Sequence, residues 1–243
     1  VIRYAVFLLV MFLPGWASAV TCQDEGFEGT SMTVCTVDVT QEDLRLFLRD
    51  DSGTVLGQFR DIERDLADEQ KLAFAMNAGM YHANRSPVGY YVENNKEQAP
   101  LLTNASRGNF GLLPNGVFCI TPKSAQVIET LTFAKHAPEC RDATQSGPML
   151  VIDGALHPRF LKDSTSRFLR NGVGTSKDGT TAYFVISNTP VTFHRFGRFF
   201  RDVLKTPNAL YFDGKVSRLH APQLDRSDAG FWLGPMVGVI TSE

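Results

Sequence analysis

Three side chains of different chemistry stand next to glycines at the ends of apolar runs, where a binding site tends to be built because glycine lets the backbone approach a ligand closely. Asn77 follows the run Leu72–Met76 in Met76-Asn77-Ala78-Gly79-Met80-Tyr81. Its amide can hold a hydroxyl or a phosphoryl oxygen, and it can equally start a turn before Gly79. Arg170 lies in Ser166-Arg167-Phe168-Leu169-Arg170-Asn171-Gly172-Val173-Gly174-Thr175. A guanidinium there can clamp a phosphate or a carboxylate through two parallel hydrogen bonds, or form a structural ion pair with an aspartate. Asp213 ends the run Ala209-Leu210-Tyr211-Phe212. A carboxyl at a strand end can be presented in a cleft with a shifted pKa, although Asp-Gly is also a common turn.

A fourth segment, Gln145-Ser146-Gly147-Pro148-Met149-Leu150, leads into Asp153-Gly154. Ser146 lacks the G-x-S-x-G elbow, since Thr144 and Gln145 precede it, so no serine-hydrolase triad is expected. Gly172 and Gly174 lack the third glycine and the following helix of a dinucleotide fingerprint. The five histidines (His82, His136, His157, His194 and His220) have no H-E-x-x-H or H-x-H spacing, which argues against a structural zinc. His82 and His220 lie near the Asn77 and Asp213 segments and are candidate acid–base groups as well as candidate surface residues. No motif demands a metal or any other cofactor; a divalent cation at Asp213 is the one cofactor left open.

The elements that must carry these residues are short. Thr33–Val39, Leu44–Arg49 and Thr54–Arg60 read as strands, with Asp51-Ser52-Gly53 as a turn. The acidic stretch Ile62–Lys71 reads as a helix, and Val88–Glu93 as a strand. Hairpins are expected around Pro114-Asn115-Gly116 (arms Phe110–Leu113 and Val117–Thr121), Asp153-Gly154 and Lys177-Asp178-Gly179. Thr192 caps a helix whose apolar face is Phe193, Phe196, Phe200, Val203 and Leu204, and Pro207 ends it. Asn208–Phe212 and Leu233–Thr241 complete the strands. Strands outnumber helices without regular alternation, so the fold class expected is α+β: a single domain with a mixed β-sheet rich in hairpins and a few packed helices.

Arg3, the apolar run Ala5–Leu13 and Ala17-Ser18-Ala19 read as a signal peptide over residues 1–19, leaving one domain over 20–243. The run is too short to span a bilayer, and no later segment is apolar enough to do so. The chain is therefore expected to be exported, to the periplasm or beyond the cell, without a membrane span after cleavage. All four cysteines (Cys22, Cys35, Cys119 and Cys140) follow the cleavage point. An even count fits two disulfides in an oxidising compartment; three pairings exist, and Cys22–Cys35 with Cys119–Cys140 closes the shortest loops. A formal net charge of −2 gives no support for nucleic-acid binding.

Taken together, the four polar segments resemble the phosphodiester glycosidase family. Its pattern has an N-G-G-F-F-like segment, then Q-x-G-P-x-L, then R-x-x-x-G leading into a hairpin, then L-D-G-G-x-S after a helix. Asn77–Tyr81, Gln145–Leu150, Arg170–Gly174 and Phe212–Ser217 supply these in the same order. The resemblance implies a hydrolase that cleaves a sugar 1-phosphodiester or another glycosidic link, with a carbohydrate or glycosyl phosphate as substrate. It implies Asp213, Arg170 and Asn77 as catalytic positions, and Gly79, Gly147, Gly174, Gly214 and Ser217 as substrate-binding ones. In this scheme Arg170 supplies positive charge to the phosphate, and Asn77 and Ser217 orient oxygens. Asp213 acts as nucleophile or base, with Asp153 or Asp178 as the second carboxyl. Ala78 and Lys215 stand where the family pattern has glycine. Lys215 favours the rival expectation, a glycan-binding or envelope-assembly protein on the same fold that does not turn over.

Overall fold

The computed structural model describes residues 20–242; the expected signal segment lies outside them. Three sheets are present, and every pairing between their strands is antiparallel. The largest runs in the order β1 (Val20–Phe27), β2 (Thr30–Asp38), β13 (Thr181–Ser187), β12 (Asn171–Thr175), β14 (Asn208–Asp213), β10 (Met149–Ile152), β11 (Ala155–Leu156). A second has the order β16 (Arg226–Ser227), β15 (Leu219–Ala221), β4 (Gln70–Asn77), β17 (Met236–Ser242), β3 (Asp43–Phe47). The third runs β6 (Lys96–Ala99), β5 (Tyr91–Glu93), β9 (Asp142–Ser146), β7 (Gly116–Ile120), β8 (Ala125–Glu129). With helices α1 (Phe59–Asp65), α2 (Thr130–His136) and α3 (Phe193–Arg198) packed against the sheets, this is an α+β architecture.

Local chemistry explains much of the layout. Glu28 and Gly29 both take positive φ (48° and 74°), the backbone a two-residue hairpin requires. That hairpin sets Cys22 opposite Cys35, and the two are bonded. The second disulfide joins Cys119 of β7 to Cys140, so both pairings are those with the shortest loops. Thr192 caps α3 by accepting from the Arg195 N–H (3.2 Å), and the helix continues as a π-helical turn over Phe199–Val203. The core joins all three sheets through phenylalanines: Phe74 of β4 meets Phe184 of β13 (ring centroids 4.9 Å apart), and Phe118 of β7 meets Phe184 and Phe212 of β14 (5.8 and 6.2 Å). Each such pair adds about 0.5–1.5 kcal/mol beyond the area it buries.

Two expectations fail. Thr54–Arg60 is not a strand; Val55 makes one isolated bridge to Arg49, and Phe59 opens α1. Gly57 turns the chain there (φ 35°), so that Leu56, Phe59 and Ile62 enter one apolar cluster with Leu72 and Leu233. The helix accordingly begins before Ile62 and ends at Asp65. Phe110–Leu113 is not a hairpin arm either. Asn115 Nδ2 donates to the Phe110 carbonyl (3.0 Å) and folds the segment back, while β7 pairs with β8 and β9.

Candidate functional site

The end of β4, the start of β12 and the end of β14 meet at two fully buried asparagines. Asn77 and Asn171 pair amide to amide: Asn77 Nδ2 donates to Asn171 Oδ1 (3.2 Å), and Asn171 Nδ2 donates to Asn77 Oδ1 (3.1 Å) and to the Asn77 carbonyl (2.8 Å). Asn171 Oδ1 also accepts from the Asp213 backbone N–H (3.1 Å), and Asn77 Oδ1 from that of Arg218 (2.9 Å). The Ser217 hydroxyl donates to the Asp213 carbonyl (2.9 Å), with Asn171 Oδ1 3.4 Å away. Register explains the arrangement. A shift between Asn171 and Gly172 sets Asn171 opposite Asp213. It needs glycine at 172, where a Cβ would lie 2.4 Å from the Leu210 carbonyl oxygen. The third sheet joins at the same place: Ser146 Oγ of β9 donates to the Phe212 carbonyl (3.0 Å), and Thr144 Oγ1 to that of Ala78 (2.9 Å).

Above this junction opens a cavity of about 520 Å³. Its buried lining includes Tyr211 and Phe110; Asp213, Gly214, Met80 and Tyr81 are half-exposed, and Phe168, Arg107 and Lys215 are exposed. Asp213 Oδ1 accepts from the N–H groups of Gly214 (2.6 Å) and Lys215 (2.9 Å). No hydrogen bond reaches Oδ2 among the described residues. Burial pushes the Asp213 carboxyl above the usual carboxylate range, although the two N–H bonds and the Lys215 charge pull the other way. Tyr211 is buried with its hydroxyl beside Arg170 and Asn109, and burial raises its pKa. A Cβ at Gly214 would stand 2.1 Å from that hydroxyl, so glycine is required for the two to pack.

The remaining expected positions are placed as follows. Arg170 is 1% exposed and does not line the cavity; it sits behind Tyr211, its guanidinium 3.6 Å from the Phe193 ring centre and 5.5 Å from those of Phe168 and Tyr211. Nε donates to the Val191 carbonyl (2.9 Å), while Nη1 is buried without a partner. Burial lowers its pKa and the neighbouring Tyr211 opposes this. Asn77 is likewise one layer below the cavity, reaching it through Asn171. Gly79 packs on Thr144, Gly147 on Asn115 and the Phe110 carbonyl, and Gly174 on Phe200 and Thr206; none of the three lines the cavity.

Asp153 and Asp178 lie away from the cavity. Strand register sets Thr175 against Asn208 at the other end of β12 and β14 from Asp213. The Asp153 N–H donates to Asn208 Oδ1 (2.9 Å), and Asp178 accepts from Ser176 and Thr180 in its own turn. His220 is buried elsewhere, its ring between Ser227 and the Leu72 carbonyl. Among the described residues, Asp213 is thus the sole carboxylate in the cavity lining, and no group of three metal-ligating side chains occurs.

Sequence reasoning passed over Asn171, Tyr211, Arg107 and Phe168. Asn171 stands inside the Arg170–Gly174 motif, next to Arg170. Gln145 of the Q-x-G-P-x-L motif holds the cavity loop rather than lining it. Its side chain accepts from Tyr90 and Leu102 N–H groups (3.0 and 3.1 Å) and donates to the Leu102 carbonyl (2.6 Å), tethering the chain that leads to Ser106–Phe110.

A three-sheet α+β scaffold with one carboxylate in a cavity bordered by arginine and lysine is the class of molecule these features define. Residues 70–220 match the phosphodiester glycosidase family, and the chain belongs to that family. A curated relative, the uncharacterised protein YigE of Escherichia coli K12, is 30% identical over 88% of this chain and 84% of its own. The fold is shared with a hypothetical protein from Synechocystis (TM-score 0.63, 15% identity, 93% of this chain and 63% of that one). It is also shared with the catalytic domain of zebrafish N-acetylglucosamine-1-phosphodiester alpha-N-acetylglucosaminidase, auto-inhibited by its pro-peptide (TM-score 0.60, 10% identity, 90% and 81%). The chain spans less than two thirds of the Synechocystis protein.

Proposed function

We propose that this protein is an exported hydrolase that cleaves the glycosidic bond of a sugar 1-phosphodiester, with Asp213 acting at the anomeric carbon. The observation that carries the reading is the cavity's charge pattern: one carboxylate of raised pKa, its Oδ1 fixed by two N–H groups and its Oδ2 open, with Arg107 and Lys215 beside it. An ordinary glycoside expels an alkoxide and needs a second carboxyl to protonate it. A phosphate leaves with its charge already carried on its own oxygens, so one carboxylate suffices when cations stabilise the departing group. Asp213 either bonds to the anomeric carbon through Oδ2, expelling the phosphate monoester before water hydrolyses the ester, or takes the proton of the water that forms that bond. The configuration of the released sugar separates the two. Arg107 and Lys215 take the part expected of Arg170, whose guanidinium acts from behind Tyr211; Asn77 positions Asp213 through Asn171, and Ser217 does so by its bond to the Asp213 carbonyl. The two disulfides support export, since such bonds persist in oxidising compartments.

Glycosyl 1-phosphate methyl diesters assayed beside the matching methyl glycosides test this. The diesters should be cleaved and the glycosides not. Asp213→Asn should lower kcat on the order of 10³-fold, and a variant retaining near-parental turnover refutes the assignment. The Lys215 side chain in the cavity favours a second reading, glycan binding without turnover; saturable diester binding with no product at any enzyme concentration would establish it.

A further inference from the structure

We propose that a second, smaller hollow, formed by the 162–167 segment against α3, is an anion site that takes a phosphate group, separate from the Asp213 cavity. The hollow measures about 160 Å³, room for a phosphate and little of what bears it. Among the described residues, four basic side chains line it, Lys162, Arg167, Arg195 and Arg198, against a single carboxylate, Glu28. Glu28 is committed to the two helical arginines, 2.6 Å from Arg198 Nη1 and 3.6 Å from Arg195 Nε. Arg198 is further held by Asp202 (3.0 Å). Lys162 and Arg167 form no ion pair among the described residues. The imidazole of His194 registers the excess: burial lowers its pKa, and so do Arg198, Lys162 and Arg201, with Glu28 the one group opposing. A concave surface with unneutralised cations of this kind concentrates oxyanions, and arginine geometry suits phosphate oxygens bidentately.

The hollow and the cavity are lined by consecutive residues of one segment. Phe168 bridges Val191 and faces the cavity, whereas its neighbour Arg167 faces the hollow. The site stands on these observations alone and does not depend on what Asp213 does.

The test uses the histidine as a reporter. His194 is followed by imidazole NMR while the protein is titrated with inorganic phosphate, or with glucose 1-phosphate, at constant ionic strength held with chloride. His194→Gln supplies the resonance assignment. Binding should raise the His194 pKa saturably with both ligands, because an anion offsets the surrounding cations. The paired variant Lys162→Ala/Arg167→Ala should weaken both responses by about tenfold or more, with unchanged turnover at the Asp213 cavity. A saturable response to inorganic phosphate alone would fix the ligand as the free ion rather than a phosphorylated sugar, and keep the site. An unsaturable response, an equal response to chloride, or full retention of binding in the paired variant would overturn the proposal.

Discussion

Replacing Asn171 by alanine tests whether the buried amide pair holds the site together. Asn171 is wholly enclosed. Truncation removes the acceptor of two N–H groups, the Asp213 backbone N–H and Asn77 Nδ2. Asn77 Oδ1 keeps the Arg218 N–H, and Ser217 keeps the Asp213 carbonyl, so neither is counted; the Asn77 carbonyl, which loses Asn171 Nδ2, adds to the loss from the two donors. Each stranded buried donor costs about 1–3 kcal/mol, which gives a loss of about 2–6 kcal/mol in unfolding free energy, read by urea denaturation followed by far-ultraviolet circular dichroism. Asn77→Ala removes the same reciprocal bonds. The double variant should therefore lose less than the sum of the singles, by about 1 kcal/mol or more. A loss below about 1 kcal/mol for Asn171→Ala, or strict additivity in the cycle, would refute the role given to the pair.

Gly214→Ala drives a methyl into the buried Tyr211 hydroxyl; it should cost about 1–3 kcal/mol and lower turnover more than Gly26→Ala, where nothing lies within 4 Å, as a thermal melt and a rate measurement will check. Glu93, its pKa raised by burial to about 7, holds its proton in the folded state over a range where the unfolded chain has lost it. Its contribution is complete below the unfolded value of about 4.3 and disappears as pH rises through 7. Glu93→Gln should match the parent at acid pH and exceed it at pH 8 by up to ~3 kcal/mol, read by denaturation across that range; equal curves at both ends would contradict it. Lys215→Ala removes a charge that lowers the Asp213 pKa, so the acid limb of kcat/KM should move to higher pH, and the difference should shrink as salt screens the pair.

Local signals in the chain carried most of the architecture. The Thr192 cap of α3, the Asp153-Gly154 and Lys177-Asp178-Gly179 hairpins and both disulfide pairings follow from patterns spanning a few residues; the expected α3 face holds at Phe196 and Phe200, whereas the π-helical turn buries Phe199 and leaves Val203 exposed. Failures came where a distant contact decided the outcome. Thr54–Arg60 has strand-forming residues, but Gly57 packs on the Trp232 ring and the chain turns to feed Leu56 and Phe59 into a cluster with Leu233. Of the expected site residues, Asp213 and Gly214 line the cavity, as a strand end next to glycine allows, whereas Ser217 does not line it and instead bonds the Asp213 carbonyl. Arg170 was legible as special and misread as to exposure, since nothing nearby in sequence reveals that Phe193 and Tyr211 enclose it. Arg107 lies in a loop whose place over the cavity is set by Gln145, several dozen residues later.

Fold and site share the residues at which the three sheets join. A polar group buried at such a junction is tolerated only when fully hydrogen-bonded, and Asn77 and Asn171 meet that condition by bonding each other and the backbones of Asp213 and Arg218. The bonds that make the junction affordable also fix where Asp213 leaves β14, directly after Phe212, whose ring is locked into the core against Phe118. Under the proposed function, changes in this layer therefore alter stability and chemistry together. The Arg107 and Lys215 side chains make no comparable commitments, being exposed on the cavity lining. Under the proposed function, substrate preference can change there at little cost to the fold; of this chain's two departures from the family glycines, Lys215 stands there and Ala78 in the buried layer beside Asn77.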